Sequence, residues 1–168
     1  NDGTLLKNFL DKKENILGFE PSKNVADQAN SFGVPTVNEF FNTENVSKYK
    51  DFLGKTDAVF ASNCICHIPD LNNLIQGVDL LLGKNGTFIF EEPYLGSMFE
   101  KTSYDQIYDE HIFMFSISSI SKIFNLYDFK LVDVLPQITH GGSMRYVIKR
   151  KNTSNISQNL KNLLELEK

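Results

Sequence analysis

"DAVFASNCICHIPDLNNLIQGVDLLLGKNGTFIFEEP", residues 57–93, decides the fold of this chain. Ala58 to Ala61 is a short apolar run, too brief for a helix, and reads as a buried strand. Asp70 then stands as an N-cap before Leu71, Leu74, Ile75, Val78, Leu81 and Leu82, which recur at helical spacing, with Gly83 as the expected stop. "GTFIFEEPYL", from Gly86, supplies the next strand. Strand, helix and strand in so few residues make the crossover unit of a parallel sheet.

The same alternation extends both ways. Upstream, "TLLKNFLDK" predicts a short helix, Ile16 to Phe19 a buried strand, "SKNVADQANSFG" a helix ending at Gly33, "VPTV" a short strand and "TENVSKYKDFLG" an exposed helix. Downstream, "SISSISKIFNLYDF" predicts a helix, and "KLVDVLP" and "SMRYVIKR" two strands pairing at a sheet edge. The tail turns polar at Asn152 and then helical, with Leu160, Leu163, Leu164 and Leu166 on one face. No internal repeat or low-complexity tract interrupts the pattern.

A chain of 168 residues with 41% hydrophobic residues can build one proper core. A net charge of -4 and no basic stripe exclude a general nucleic-acid binder. Cys64 and Cys66 are too close for a relaxed disulfide within a strand and too few for a structural zinc site, so reduced core thiols and no metal are expected. No stretch approaches the ~18 apolar residues of a membrane span, and no signal-peptide pattern opens the chain. A cytoplasmic compartment without membrane contact follows as the expectation.

In an open α/β sheet, ligands bind at the carboxyl ends of the strands. Polar residues gather there: Asn1, Asp2 and Gly3 before the first helix, Glu20 after one strand, Asn63 and His67 after another, Glu91 and Glu92 after a third. An acid at the end of the second strand of such a sheet, about 20 residues beyond a glycine turn, takes ribose hydroxyls; Glu20 has that place relative to Gly3, and capping of the next helix is the alternative. "YDEHIFMFS", residues 108–116, sets a phenol, two acids and an imidazole against an apolar run, fitting neither a solvated helix nor an alternating strand. An ordinary loop entering a buried segment is the plain alternative.

Taken in order, "NDGTLL", "GFEPS", "ASNCICHIPDL", "FEEPYL", "YDEHIFMFS" and "HGGSMR" resemble the S-adenosylmethionine-dependent sugar C-methyltransferases of the deoxysugar C-3'-methyltransferase type, over residues 1–150. The resemblance implies a Rossmann-like class I methyltransferase α/β sheet, mostly parallel with an antiparallel edge strand, and with its first strand missing. It implies that 1–150 is the central domain, that 151–168 leads toward a carboxyl-terminal domain, and that zinc belongs to an amino-terminal domain outside this chain. Asn1, Asp2 and Gly3 would be what remains of the cofactor loop. Glu20 would hold the ribose with Pro21 and Ser22 shaping the turn, and Asn63 would line the methionine end. His67, Tyr108, Glu110 and His111 match positions implicated in deprotonating a sugar. Glu92 departs from an expected apolar residue, and Asp109 from an expected histidine.

The implied chemistry makes a carbon nucleophile. A ketone acidifies its neighbouring carbon, so the site needs a base, donors to the enolate oxygen and exclusion of water. His111 would be the base, Glu110 would orient it or hold a substrate hydroxyl, and Tyr108 would donate to the enolate or relay the proton. "IFMF" would wall off water. Gly141 and Gly142 would bring amides or the Ser143 hydroxyl toward the site, or simply form a tight turn. The substrate would be a small molecule, a keto-sugar nucleotide above all. A non-catalytic Rossmann-like binding module and a small-molecule O- or N-methyltransferase are the other readings.

Overall fold

Parallel pairing begins early, in two strands of two residues each. In the computed structural model, which describes residues 2–12, 14–152 and 155–168, β1 (Gly18–Phe19) pairs with β2 (Thr36–Val37). Between them runs α1 (Lys23–Ser31), which buries Ala26 and Ala29. Asn30 ties this helix to β2, because its side chain donates to Thr36 O at 2.7 Å and accepts from Thr36 N at 3.1 Å. Gly33 follows at φ 79°, the left-handed stop that the sequence predicts. A 3₁₀ turn, Leu6–Lys12, stands where the first helix is expected. The expected exposed helix shrinks to α2 (Thr43–Val46), capped by Asn42, since only Val46 on it is buried.

These elements belong to one unit, 1–49, and the rest of the chain, 50–168, forms another. In the second, the sheet order is β3-β4-β6-β5, from β3 (Thr56–Ser62), β4 (Leu82–Pro93), β5 (Phe129–Gln137) and β6 (Ser143–Arg150). β3 and β4 run parallel, while β6 is antiparallel to both β4 and β5. β3, β4 and β5 therefore share a direction and β6 is reversed beside the outer strand. β5 and β6 do pair at the sheet edge. β3 is less buried than its apolar run suggests, with Phe60 exposed, because it is the outer strand of this sheet.

α3 (Leu71–Leu81) buries Leu74, Ile75, Val78 and Leu81, and Asp70 caps it by accepting from Asn73 N at 3.0 Å. Gly83 is not its stop: Leu82 is already extended, and the chain passes straight into β4. Along β4, Phe88, Phe90 and Glu92 fall on one face by the period of two and all are buried. Phe90 stacks on Tyr146 of β6 with ring centroids 4.8 Å apart, and on Phe124 at 5.8 Å. α4 (Leu95–Lys101) follows β4 directly. Phe124 comes from α5 (Ile117–Asn125), which Ser116 and Ser119 start with a reciprocal capping box.

The tail helix α6 (Gln158–Leu166) buries Leu160, while Leu166 is exposed. Beyond it, Glu167 accepts from Ile117 N at 2.7 Å, Ser118 N at 2.8 Å and Tyr94 Oη at 2.8 Å. The carboxylate thus caps α5, where the helix dipole favours an anion. Among the described residues, no helix is long and apolar enough to cross a membrane.

Burial alone would raise the Glu167 carboxyl, but the hydrogen bonds from Ser118, Ile117 and Tyr94 outweigh it and hold the group below its usual range. A depressed carboxyl stabilises the fold above its unfolded pKa, and that contribution disappears as pH falls through the folded value. Glu167→Gln should therefore lower stability at neutral pH by about 1 kcal/mol, allowing for its solvent-facing side. Urea unfolding at neutral and acid pH should show the gap between wild type and variant closing on acidification.

Candidate active site

Within the first unit, Glu20 emerges at the carboxyl end of β1 as the sequence predicts. Its Oε1 accepts from Ser22 N at 2.8 Å, so the acid shapes its own turn. Burial pushes its carboxyl upward, and the hydrogen bonds it accepts, including that of Ser22, bring it below its usual range. The Asn38 side chain, which the sequence did not single out, donates to Glu20 O at 3.0 Å and Pro21 O at 2.7 Å. Asp2 caps the first turn, accepting from Thr4 N and Thr4 Oγ1 at 2.9 Å each. Gly3 sits buried at φ 82°, and a Cβ there would meet Val34 and Ala29 at 3.1–3.2 Å, so that turn requires glycine. Asn1 lies outside the described residues.

Within the second unit, the segment after β3 reverses at Asn63, a non-glycine residue at φ 49°. Asn63 N donates to Glu91 O at 2.8 Å, while its side-chain Oδ1 is buried with no hydrogen-bond partner. Next comes Glu92. Fully buried, it accepts through Oε1 from Cys64 N at 3.0 Å and Ile65 N at 2.7 Å. Its Oε2 has no hydrogen-bond partner. Where an apolar residue is expected, this acid pins the turn that presents His67. Cys66 is buried beside it; burial first, then the Glu92 carboxylate, drives the thiol far above its usual value. Cys64 is exposed, so it is not a core thiol.

The segment of residues 103–114 has no regular structure, and it docks on this turn through Ile112 N and Phe113 N, which donate to Cys66 O at 2.9 and 3.2 Å. That docking brings the two histidine rings to 5.1 Å between centroids. His67 Nδ1 lies 2.6 Å from Glu110 O, and His111 Nδ1 lies 2.8 Å from Gln106 O. A carbonyl oxygen only accepts, so in its neutral form each ring carries the proton on Nδ1 and a lone pair on Nε2. The Tyr108 hydroxyl therefore donates to His111 Nε2, at 2.7 Å, with the rings 4.0 Å apart.

Several expected roles change. His111 is oriented by the Gln106 carbonyl rather than by the Glu110 carboxylate. Gln106 itself is buried and donates to His140 O at 3.1 Å. Glu110, Asp109, His67 and Ile112 line an open cleft of about 380 Å³. Ile112 is half exposed, so of the expected water-excluding run only Phe115 is fully enclosed. The Ser143 hydroxyl turns away to Thr139 O, at 3.2 Å. The adjacent glycines form the tight turn: Gly142, at φ 136°, faces Ser97 so closely that a Cβ would lie 2.5 Å from it. Lys101 closes the turn by donating to Gly141 O. Arg145 pairs with Glu91 at 2.9 Å, and Thr139 Oγ1 donates to the same carboxylate at 2.9 Å.

The fold and the strand-end placement of these groups define a class, the Rossmann-like class I methyltransferases, whose methyl donor is S-adenosylmethionine. A family described as "Methyltransferase domain" matches residues 1–134, and the chain belongs to it. The chain is 33% identical over 144 residues to the C-methyltransferase NovU of Streptomyces niveus, a match covering 86% of this chain and 34% of that protein. It thus spans about a third of that relative's length. Among solved structures, a SAM-dependent methyltransferase from Anabaena variabilis aligns with TM-score 0.63 at 20% identity, covering 89% of this chain and 74% of that one. The magnesium protoporphyrin IX methyltransferase of Synechocystis, with bound SAH, aligns with TM-score 0.65 at 15% identity, covering 89% and 70%. These two show the fold.

If Glu92 holds the turn by accepting two backbone N–H groups, an amide can replace it better than an alkyl group. Glu92→Leu should be less stable than Glu92→Gln by about 1–3 kcal/mol, the cost of orphaning buried donors. Equal midpoints of the two variants in chemical denaturation would contradict this role.

Proposed function

We propose that the protein is a C-methyltransferase that enolises a keto substrate, a keto-sugar nucleotide in particular, and methylates the resulting carbon. The observation that carries this reading is the Tyr108–His111 hydrogen bond of 2.7 Å with His111 fixed by the Gln106 carbonyl. A phenol donating to a neutral imidazole of set tautomer is a ready proton acceptor pair. Methyl transfer to oxygen or nitrogen needs no such carbon-acid apparatus, and a mere binding module needs none either.

The cofactor-binding residues are assigned by family and by fit. In the first unit, Glu20, with Pro21, Ser22 and the Asp2–Gly3 turn, would hold the ribose end; in the second, the buried, unpartnered Asn63 Oδ1 is an acceptor suited to the ammonium of the methionine end. S-adenosylmethionine, when bound, supplies an electrophilic methyl group. His111 takes a proton through Tyr108 from the carbon next to the ketone, leaving an enolate. The enolate so formed would be the carbon nucleophile to which the bound donor supplies its methyl group. His67, with its Nε2 lone pair, and Glu110, at the cleft, would position the sugar hydroxyls. The segment 151–168 would lead toward a further domain, as the resemblance implies.

His111→Ala should lower methyl transfer to a keto-sugar nucleotide at least ~100-fold while leaving S-adenosylhomocysteine binding intact. Tyr108→Phe should fall nearly as far if the phenol relays the proton. Both variants should also lose deuterium exchange at the carbon beside the ketone, and near-normal exchange would remove the pair from the reaction. Glu20→Ala should weaken S-adenosylhomocysteine binding by about 1.5–3 kcal/mol, read by titration calorimetry; unchanged affinity would remove Glu20 from the cofactor site.

A further inference from the structure

One cluster joins Cys66, a thiol that the proposed reaction does not use, to the two histidines that it does. The Cys66 sulfur and one nitrogen each of His67 and His111 lie within 4.8 Å of one another. Three protein ligands of this kind, with a fourth position left open, are the donor set of an open zinc site. We infer that Cys66, His67 and His111 form a binding site for a thiophilic divalent cation, zinc in the first place.

Three independent features of the molecule support this. Both imidazoles donate Nδ1–H to backbone carbonyls, of Glu110 and Gln106, which leaves Nε2 of His67 for a metal and, once the Tyr108 hydroxyl is displaced from it, Nε2 of His111. That is the outer-shell arrangement that orients metal-ligating histidines. Behind the sulfur, the Glu92 carboxylate is wholly buried and its Oε2 has no hydrogen-bond partner; a buried carboxylate of this kind gains from a neighbouring cation. In front, Asp109 and Glu110 line the open cleft beside His67, so the entrance is acidic. Tetrahedral zinc would hold its ligand atoms about 3.3–3.6 Å apart, so ligand atoms that already lie within 4.8 Å of one another would draw closer on binding.

Coordination replaces the Cys66 S–H proton, which leaves to buffer, and the sulfur binds as thiolate. The cation also takes His111 Nε2 from the Tyr108 hydroxyl. Zinc binding does not depend on the reaction proposed above. Its consequence does: an occupied His111 cannot accept a proton through Tyr108, so zinc should inhibit methyl transfer and a chelator should restore it.

The test is equilibrium dialysis of the protein against zinc without methyl donor or acceptor, together with the absorption spectrum of the cobalt-loaded protein. The expected result is a single metal per chain and a sulfur-to-cobalt charge-transfer band with tetrahedral d–d bands. Cys66→Ala should abolish the charge-transfer band, and His111→Asn should weaken zinc at least ~10-fold. Cys64→Ser, which alters the exposed thiol outside the cluster, should bind like wild type. Because His111 is only half-buried, its variant keeps the test decisive should Cys66→Ala misfold. No bound zinc in the wild type, binding that survives His111→Asn unweakened, or binding that is lost in Cys64→Ser would overturn the site. Either result leaves the methyl-transfer reading standing, because that reading is tested by exchange and turnover without zinc.

Discussion

Two backbone N–H groups, of Cys64 and Ile65, end on one oxygen of a carboxylate that has no access to water. That interaction sets the path of the chain as it leaves β3. The turn it fixes presents Cys66 O to Ile112 N and Phe113 N, and so decides where the irregular segment of residues 103–114 docks. Without that docking, His67 and His111 would have no reason to meet, because they stand 44 positions apart in sequence. The cost is a buried acid whose second oxygen is unsatisfied. Such groups persist where a neighbouring structure over-determines them, and here the neighbour is the cluster of ionisable groups itself.

Most of the fold is legible in the residues. The apolar periodicity of α3 and the Asp70 cap are local signals, and both appear in the structure where the spacing puts them. So do the turn at Gly33 and the pairing of β5 with β6. Boundaries fail where local and sheet-level preferences compete. Gly83 looks like a helix stop, yet Leu82 is drawn into the ladder opposite Thr56, so the strand begins before the glycine can end the helix. The early strand reduces to Gly18–Phe19 because only those residues find partners in Thr36–Val37.

The site is legible in part, and for a physical reason. Residue types reveal which side chains carry ionisable chemistry, so Tyr108, His111 and His67 stand out. They do not reveal which backbone carbonyl fixes a ring. Glu110 looks like the natural partner of His111 because it is adjacent, whereas the ring is held by the backbone carbonyl of Gln106, five positions back, whose own side chain is buried. Glu92 is noticeable only as a departure from an expected apolar residue. Its place on the Phe88–Phe90 face of β4 turns that departure into a structural role.

The chemistry of the cleft turns on the tautomers of two histidines. Nitrogen NMR of the imidazole side chains, at a pH where both rings are neutral, reads them directly. The carbonyls of Gln106 and Glu110 require His111 and His67 to carry their proton on Nδ1, with Nε2 unprotonated in each. A spectrum with the proton on Nε2 of His111 would contradict the account, because that ring could neither accept the Tyr108 hydroxyl nor serve as the base.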